Sequence, residues 1–276
     1  MPELTDLSVI RTLCEKYDFA LSKGFGQNFI INPGLPPKIV DASGVDKSWG
    51  VLEIGPGIGV LTKELAQRAA KVLSIEVDER LPPLLAETMA GVENFKLVLQ
   101  DVLKVDLRAL IEEEFPGMPV AVCANLPYYI TSPIVMKLLG DRLPIQNLTV
   151  MVQKEVADRM AAAVGTKNYG AYTVKLGLHA EPAGRFPVGP GNFFPPPRVD
   201  SAVIRLNRRV PLMADGAPAT PEVIAAAALI ADAAFANRRK TIANSCKTYF
   251  SGRGSLLLGA SGSSAGLRAV DGALSG

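Results

Sequence analysis

The sequence predicts an α/β protein: a parallel sheet with helices on both faces over residues 1–207, then a smaller helical domain over 208–276. Three observations predict it. Short apolar runs bounded by turn residues alternate with helix-like stretches. The first of these runs ends in Gly55-Pro-Gly57-Ile-Gly59 and leads into a helical pattern. A stretch rich in Pro, Ala and Gly at 208–220 then separates the alternating region from a helical one at 221–250. The length of 276 residues suits about two domains. It allows burial of about three quarters of the unfolded surface without disulfide or metal staples.

The elements follow in order. Residues 1–20 read as a leading helix. Lys23 to Asn32 is a loop closing on the Asn32-Pro33-Gly34 turn, and residues 36–44 a short helix stopped by Gly44. Val51–Ile54 is an apolar run ending in glycines, hence a buried strand. Residues 60–69 are amphipathic and helical. Lys71–Val77 is the second strand, 79–89 a helix despite Pro82-Pro83, and Phe95–Leu99 the third strand. Val120–Ala124 is the fourth strand, with a helix at 132–140. Leu148–Val152 is the fifth, with a helix from Lys154. Residues 171–179 fit helix or strand equally, and 199–206 alternate as a strand. The last 26 residues hold 7 Gly and 6 Ser, so a weakly ordered tail is expected from about 251. Right-handed crossovers place the strand C-termini, and a ligand crevice, along one edge.

Composition narrows the function. Hydrophobic residues are 48% and charged residues 20%, which excludes a disordered chain and a collagen. No apolar run approaches a membrane span, and the acidic, polar start Met1–Asp6 does not read as a signal peptide. Cys14, Cys123 and Cys246 are odd in number and far apart, which suggests free thiols, no metal and a cytoplasmic location. The net charge of +2 hides a split. Residues 1–120 carry 12 Lys/Arg against 18 Asp/Glu, and residues 121–276 carry 17 against 9. A polyanion-binding face on the second half fits that split, although segregation of solvated charge would produce it too.

Four groups of residues carry chemistry. The glycines at 55, 57 and 59 permit a tight turn and close backbone approach beside a helix N-terminus. Position 60 is Val, so the dinucleotide fingerprint is not met. Glu76 ends the second strand, where a carboxylate can accept two ribose hydroxyls. Asp101 follows the third, where a carboxylate can accept from an adenine amino group. Asn125-Leu-Pro-Tyr-Tyr129 follows the fourth strand and looks like the catalytic tetrapeptide of enzymes that methylate exocyclic amines of nucleobases. An adenine amine is a poor nucleophile. The Asn125 amide oxygen and the Pro127 carbonyl can each accept one of its hydrogens and aim its lone pair. Tyr128 can stack on a base taken out of its helix. In Asn192-Phe-Phe-Pro-Pro-Pro-Arg-Val-Asp-Ser201, stiff prolines can hold Phe193 against the other face of that base, although a Phe pair packed into the core is the more ordinary outcome. Arg238, Arg239 and Lys240 suit phosphate contacts. His179 and Trp49 read as structural.

Together, Gly26-Gln-Asn-Phe-Ile30, Glu53–Gly59, Asn125–Tyr128 and Phe193–Ser201 resemble the ribosomal RNA adenine dimethyltransferase family, the kasugamycin-resistance dimethyladenosine transferases. The resemblance spans roughly residues 20–250. It implies a Rossmann-like S-adenosylmethionine-dependent methyltransferase sheet with a smaller C-terminal helical domain that contacts rRNA. The implied reaction moves four methyl groups from S-adenosyl-L-methionine to two adjacent adenosines in the 3′-terminal hairpin of small-subunit (16S) rRNA, on a late pre-ribosomal particle, by a monomer. Carried over by position, Asn28 and Ile30 line the cofactor site, Gly55 meets the methionine end, Glu76 the ribose and Asp101 the adenine. Asn125 serves cofactor and target, and Gln27 orders the N-terminal loop. Ile30 stands where Leu is usual, and the Gly/Ser-rich tail departs from the family pattern.

Three alternatives share these motifs. One is a large-subunit adenine methyltransferase of the macrolide-resistance type, against which Leu126, the Tyr pair and Pro195–Pro197 argue. The second is a DNA amino-methyltransferase, which usually carries Pro-Pro after its Asn or Asp. The third is a non-catalytic ribosome assembly factor on the same fold, against which the intact Asn125 and Tyr128 argue.

Overall fold

A computed structural model describes residues 3–20, 27–140, 143–237 and 239–251 of the chain. The loop residues 23–26, Arg238 and the tail from 252 on, each given a role above, lie outside them. Asp6 caps α1 (Leu7–Lys16), its carboxylate accepting from the Ser8 amide at 2.7 Å. A two-residue strand, β1 (Phe29–Ile30), precedes α2 (Leu35–Ser43). Gly44 ends α2 in the left-handed region at φ 67°, as a helix C-terminus favours.

The alternating core follows: β2 (Gly50–Ile54), α3 (Val60–Arg68), β3 (Lys71–Glu76), α4 (Pro82–Thr88) and β4 (Phe95–Leu99). The prolines expected to disturb the fourth helix begin it instead, because the first turn needs no N–H there. Then come α5 (Leu107–Glu114), β5 (Val120–Asn125), α6 (Thr131–Gly140), β6 (Ile145–Gln153) and α7 (Lys154–Met160). Helix α5 has no counterpart in the sequence reading. Its acidic run Glu112–Glu114 hides the apolar period, yet Asp106 caps it through the Ala109 amide at 3.0 Å.

The ambiguous 171–179 segment is helical, as α8 (Ala171–Gly177). It leads to β7 (Ala180–Val188), β8 (Phe193–Phe194) and β9 (Ser201–Arg208). Strand β7 escaped the sequence reading because Pro182, Gly184 and Pro187 interrupt it; such residues are tolerated on an edge. Helices α9 (Pro221–Phe235) and α10 (Ile242–Phe250) close the described chain, capped by Thr220 and Thr241. Among the described residues, no helix is long and apolar enough to cross a membrane.

The main sheet runs β4-β3-β2-β5-β6-β9-β7. Five strands are parallel, whereas β9 runs antiparallel to β6 and β7 antiparallel to β9. The all-parallel expectation is therefore corrected at one edge. The period of two along each strand separates the faces. Leu52 and Ile54 point into a core with α5, α6 and α7, while Val51 packs with α2 and α3 on the other side. A third cluster seats α1 on α4 through Ile10, Leu13, Leu84 and Leu85. The chain winds outward from β2 to β4 and then returns to β5. The strand order thus reverses beside β2, where an α/β sheet opens a crevice at its strand C-termini.

Candidate active site

The pocket at that crevice is lined by Asn28, Ile30, Gly55, Glu76, Asp101, Asn125 and Tyr128, seven of the eight site residues read from the sequence. Gly55 and Gly57 take φ 70° and 57°, a conformation that side chains resist. A Cβ at Gly55 would meet nothing within 4 Å, so its backbone faces open space. The turn runs directly into α3, whose positive N-terminal end adjoins the pocket.

Glu76 is 8% exposed. Its Oε1 accepts from the amides of Val77 and Asp78 at 2.8 and 2.9 Å. Burial raises its pKa, and those amides oppose the rise. Asp101 sits at the rim. Its Oδ1 accepts from the Leu103 amide at 2.9 Å, and Lys104 lies 3.5 Å from Oδ2.

Strands β1 and β8 pair as a ribbon, Phe29 opposite Phe194 and Ile30 opposite Phe193. This ribbon brings together motifs distant in sequence. Asn125 Nδ2 donates to the Asn28 carbonyl at 3.4 Å, which leaves Asn125 Oδ1 as the acceptor end of the amide. Gln27 donates to Asp78 at 2.8 Å, and Arg80 binds the same carboxylate at 2.6 Å. The stretch 27–30 is thereby tied to the turn after Glu76.

Two expectations are corrected here. Phe193 does not face the pocket. It is 2% exposed and packs in the core of α2 and α3, because the ribbon turns its two phenylalanines to opposite sides. Phe194 points toward the α1 cluster instead, with Arg11 over its ring at 5.8 Å. Nor is the Pro127 carbonyl free to take an amine hydrogen. It accepts from the Ile130 amide at 3.3 Å and from Thr131 Oγ1 at 3.0 Å, which uses both of its lone pairs. Leu126, one residue earlier, also lines the pocket, and its carbonyl is the next backbone acceptor along the chain.

The sequence reading named Glu53 in the glycine motif without giving it a role, and it passed over Asp78. Glu53 is 1% exposed beneath the glycine turn, and its Oε2 accepts from Ser74 Oγ at 2.6 Å and Thr62 Oγ1 at 2.8 Å. Burial pushes its pKa up to about 7 against the pull of those hydroxyls. A lone acid inside the apolar run Val51–Ile54 was the available signal. His179 lies between α8 and β7, outside the pocket lining. Among the described residues no group of three His, Cys, Asp or Glu is placed to hold a metal ion.

An open glycine turn at the first strand, an acid at the end of the second and another after the third fit S-adenosyl-L-methionine, whose ribose, adenine and amino acid need such acceptors and such backbone access. The fold and this pocket define an S-adenosylmethionine-dependent methyltransferase. Residues 19–259 match the family model of the ribosomal RNA adenine dimethylase. The chain belongs to that family. It is 48% identical over 235 residues to the ribosomal RNA small subunit methyltransferase A of Geobacillus sp. (strain WCH70), covering 85% of this chain and 79% of that protein. It is 43% identical over 253 residues to the protein of the same name from Alkaliphilus oremlandii (strain OhILAs), covering 90% and 85%. Among solved structures it is similar to a dimethyladenosine transferase from Plasmodium falciparum, with TM-score 0.65 and 30% identity over 79% of this chain and 74% of that one. It is also similar to the 23S rRNA methyltransferase ErmE, with TM-score 0.63 and 29% identity over 79% and 83%.

Proposed function

We propose that the protein dimethylates the exocyclic amines of two adjacent adenosines in the 3′-terminal hairpin of small-subunit (16S) rRNA. It acts as a cytoplasmic monomer on a late pre-ribosomal small subunit, with residues 208–276 contacting rRNA. Identity supports the small-subunit target: 43–48% to the two relatives named for that subunit against 29% to the 23S enzyme. The fold alone does not separate the two, since both solved structures align about equally well.

The observation that carries the chemistry is the fixed Asn125 amide at the pocket. Bound S-adenosyl-L-methionine supplies an electrophilic methyl group on a sulfonium. Glu76 retains acceptor capacity for the ribose hydroxyls, because a carboxylate offers about four lone-pair sites. Asp101 would accept from the adenine amine, and Asn28 through its side chain and Ile30 through its backbone would close the cofactor site beside Gly55. Asn125 Oδ1 and the Leu126 carbonyl accept the hydrogens of the target amine and aim its lone pair. Tyr128 supplies the stacking face. The methylated ammonium is acidic enough to lose its proton to water, so the chain's single His is not needed as a base.

Transfer of label from the cofactor to immature small subunits tests this reading, with naked large-subunit rRNA as the competing substrate. Asn125→Ala should reduce transfer by about 100-fold or more. Transfer to the large-subunit RNA alone would favour the macrolide-resistance reading. Binding of particles with no transfer by the wild type would favour an assembly factor.

A further inference from the structure

We propose that Ser201 is a positioning residue for Tyr128, and that the bond between their hydroxyls fixes the plane on which the target base stacks. The inference rests on the pocket being an adenosine-methylating site. Tyr128 opens a single 3-10 turn, Tyr128–Ile130, which Leu126 and Pro127 join to the end of β5. At the backbone end, the Pro127 carbonyl holds that turn through Ile130 and Thr131. At the far end of the ring, the Tyr128 hydroxyl is hydrogen-bonded to Ser201 Oγ. Ser201 is fully buried and begins β9, paired with Gln153 of β6 on one side and Val188 of β7 on the other. It is therefore held from both flanks and does not follow the ring.

The geometry explains why a tyrosine stands here. Stacking needs only the π face, which phenylalanine also offers. The hydroxyl is spent on the sheet. Without it the side chain turns about two torsions, and its plane wanders relative to a base presented to Asn125. Catalysis by positioning is sensitive to such displacements. The second methylation is the more sensitive step, because the amine then carries a methyl group and only one hydrogen is left to orient it. A loosened ring should let the base leave after one transfer.

The test compares wild type, Ser201→Ala, Tyr128→Phe and the double variant on immature small subunits. RNA is digested to nucleosides, and N6-monomethyl and N6,N6-dimethyladenosine are quantified; cofactor Kd is measured separately by calorimetry. Each single change should lower dimethyladenosine formation by about 3- to 10-fold, as loss of one hydrogen bond implies. Each should raise the monomethyl-to-dimethyl ratio and leave the cofactor Kd within about twofold. The double variant should be no worse than the more affected single one. Wild-type product ratios in both single variants, or effects that multiply in the double, overturn the proposal. If Ser201→Ala fails to fold, Tyr128→Phe removes the same bond from the other side and decides alone. An inactive wild type instead overturns the functional reading, and this inference falls with it.

Discussion

Glu53 is the residue on which stability and pH meet. It lies under the glycine turn and ties β2 to α3 and β3 through Thr62 and Ser74. Burial raises its pKa from 4.5 to about 7. An acid raised on folding binds more protons in the native chain than in the unfolded one. Its contribution is therefore complete below pH 4.5 and is lost as pH rises through about 7. The unfolding free energy of the wild type relative to Glu53→Gln should fall by about 3 kcal/mol across that window. Urea unfolding of both proteins between pH 4.5 and 7.5 measures it, and a flat difference would exclude a buried, titrating Glu53. Gln keeps an oxygen for the two hydroxyls, so the comparison isolates the charge. The same scale shows why some residues were legible and others not. Asn125 and Glu76 end strands and Asp101 closely follows one, where polar residues after apolar runs stand out. Glu53 sits inside such a run. Phe193 was placed at the pocket by its motif, but its ring direction is set by the pairing of Ile30 with Phe193.

The elements were legible where burial was two-sided. Strands β2, β3 and β5 read as continuous apolar runs because helices cover both faces. All five residues of β2 are buried. Strand β7 was illegible for the opposite reason: on an edge it carries two prolines and a glycine, and most of it is exposed. The β1–β8 ribbon is too short to leave a pattern. At this scale Gly50 is the sensitive point. A Cβ there would lie 2.3 Å from Phe115 Cδ1, the ring that seats the end of α5 against β2. Gly50→Ala should lower stability by about 1–3 kcal/mol through overpacking, seen as a lower melting temperature in calorimetry. An unchanged melting temperature would mean that the ring moves aside freely.

The charge split belongs to the whole molecule. The acidic first part contains the cofactor strands β2, β3 and β4, and the basic excess begins with Asn125 and the target side. Arg239 and Lys240 are exposed between α9 and α10. If this region meets rRNA phosphates, replacing Arg238, Arg239 and Lys240 with Ala should weaken binding to immature small subunits. It should also make the plot of log K against log salt shallower by about 2. Filter binding across a salt series reads both. An unchanged slope would place the phosphate contacts elsewhere.

By itself the sequence determined the family and the strand-end residues of the cofactor pocket. Both depend on local pattern: which residue follows which apolar run, and where glycine is needed for a positive φ. The tertiary structure alone decided that β9 runs antiparallel to both of its neighbours, that Phe193 turns inward, that the Pro127 carbonyl is already used, and that Ser201 holds Tyr128 across 73 residues. The physical reason is the same in each case. Strand direction, ring orientation and hydrogen-bond partners are settled by packing between distant segments, and no local pattern records which segments will meet.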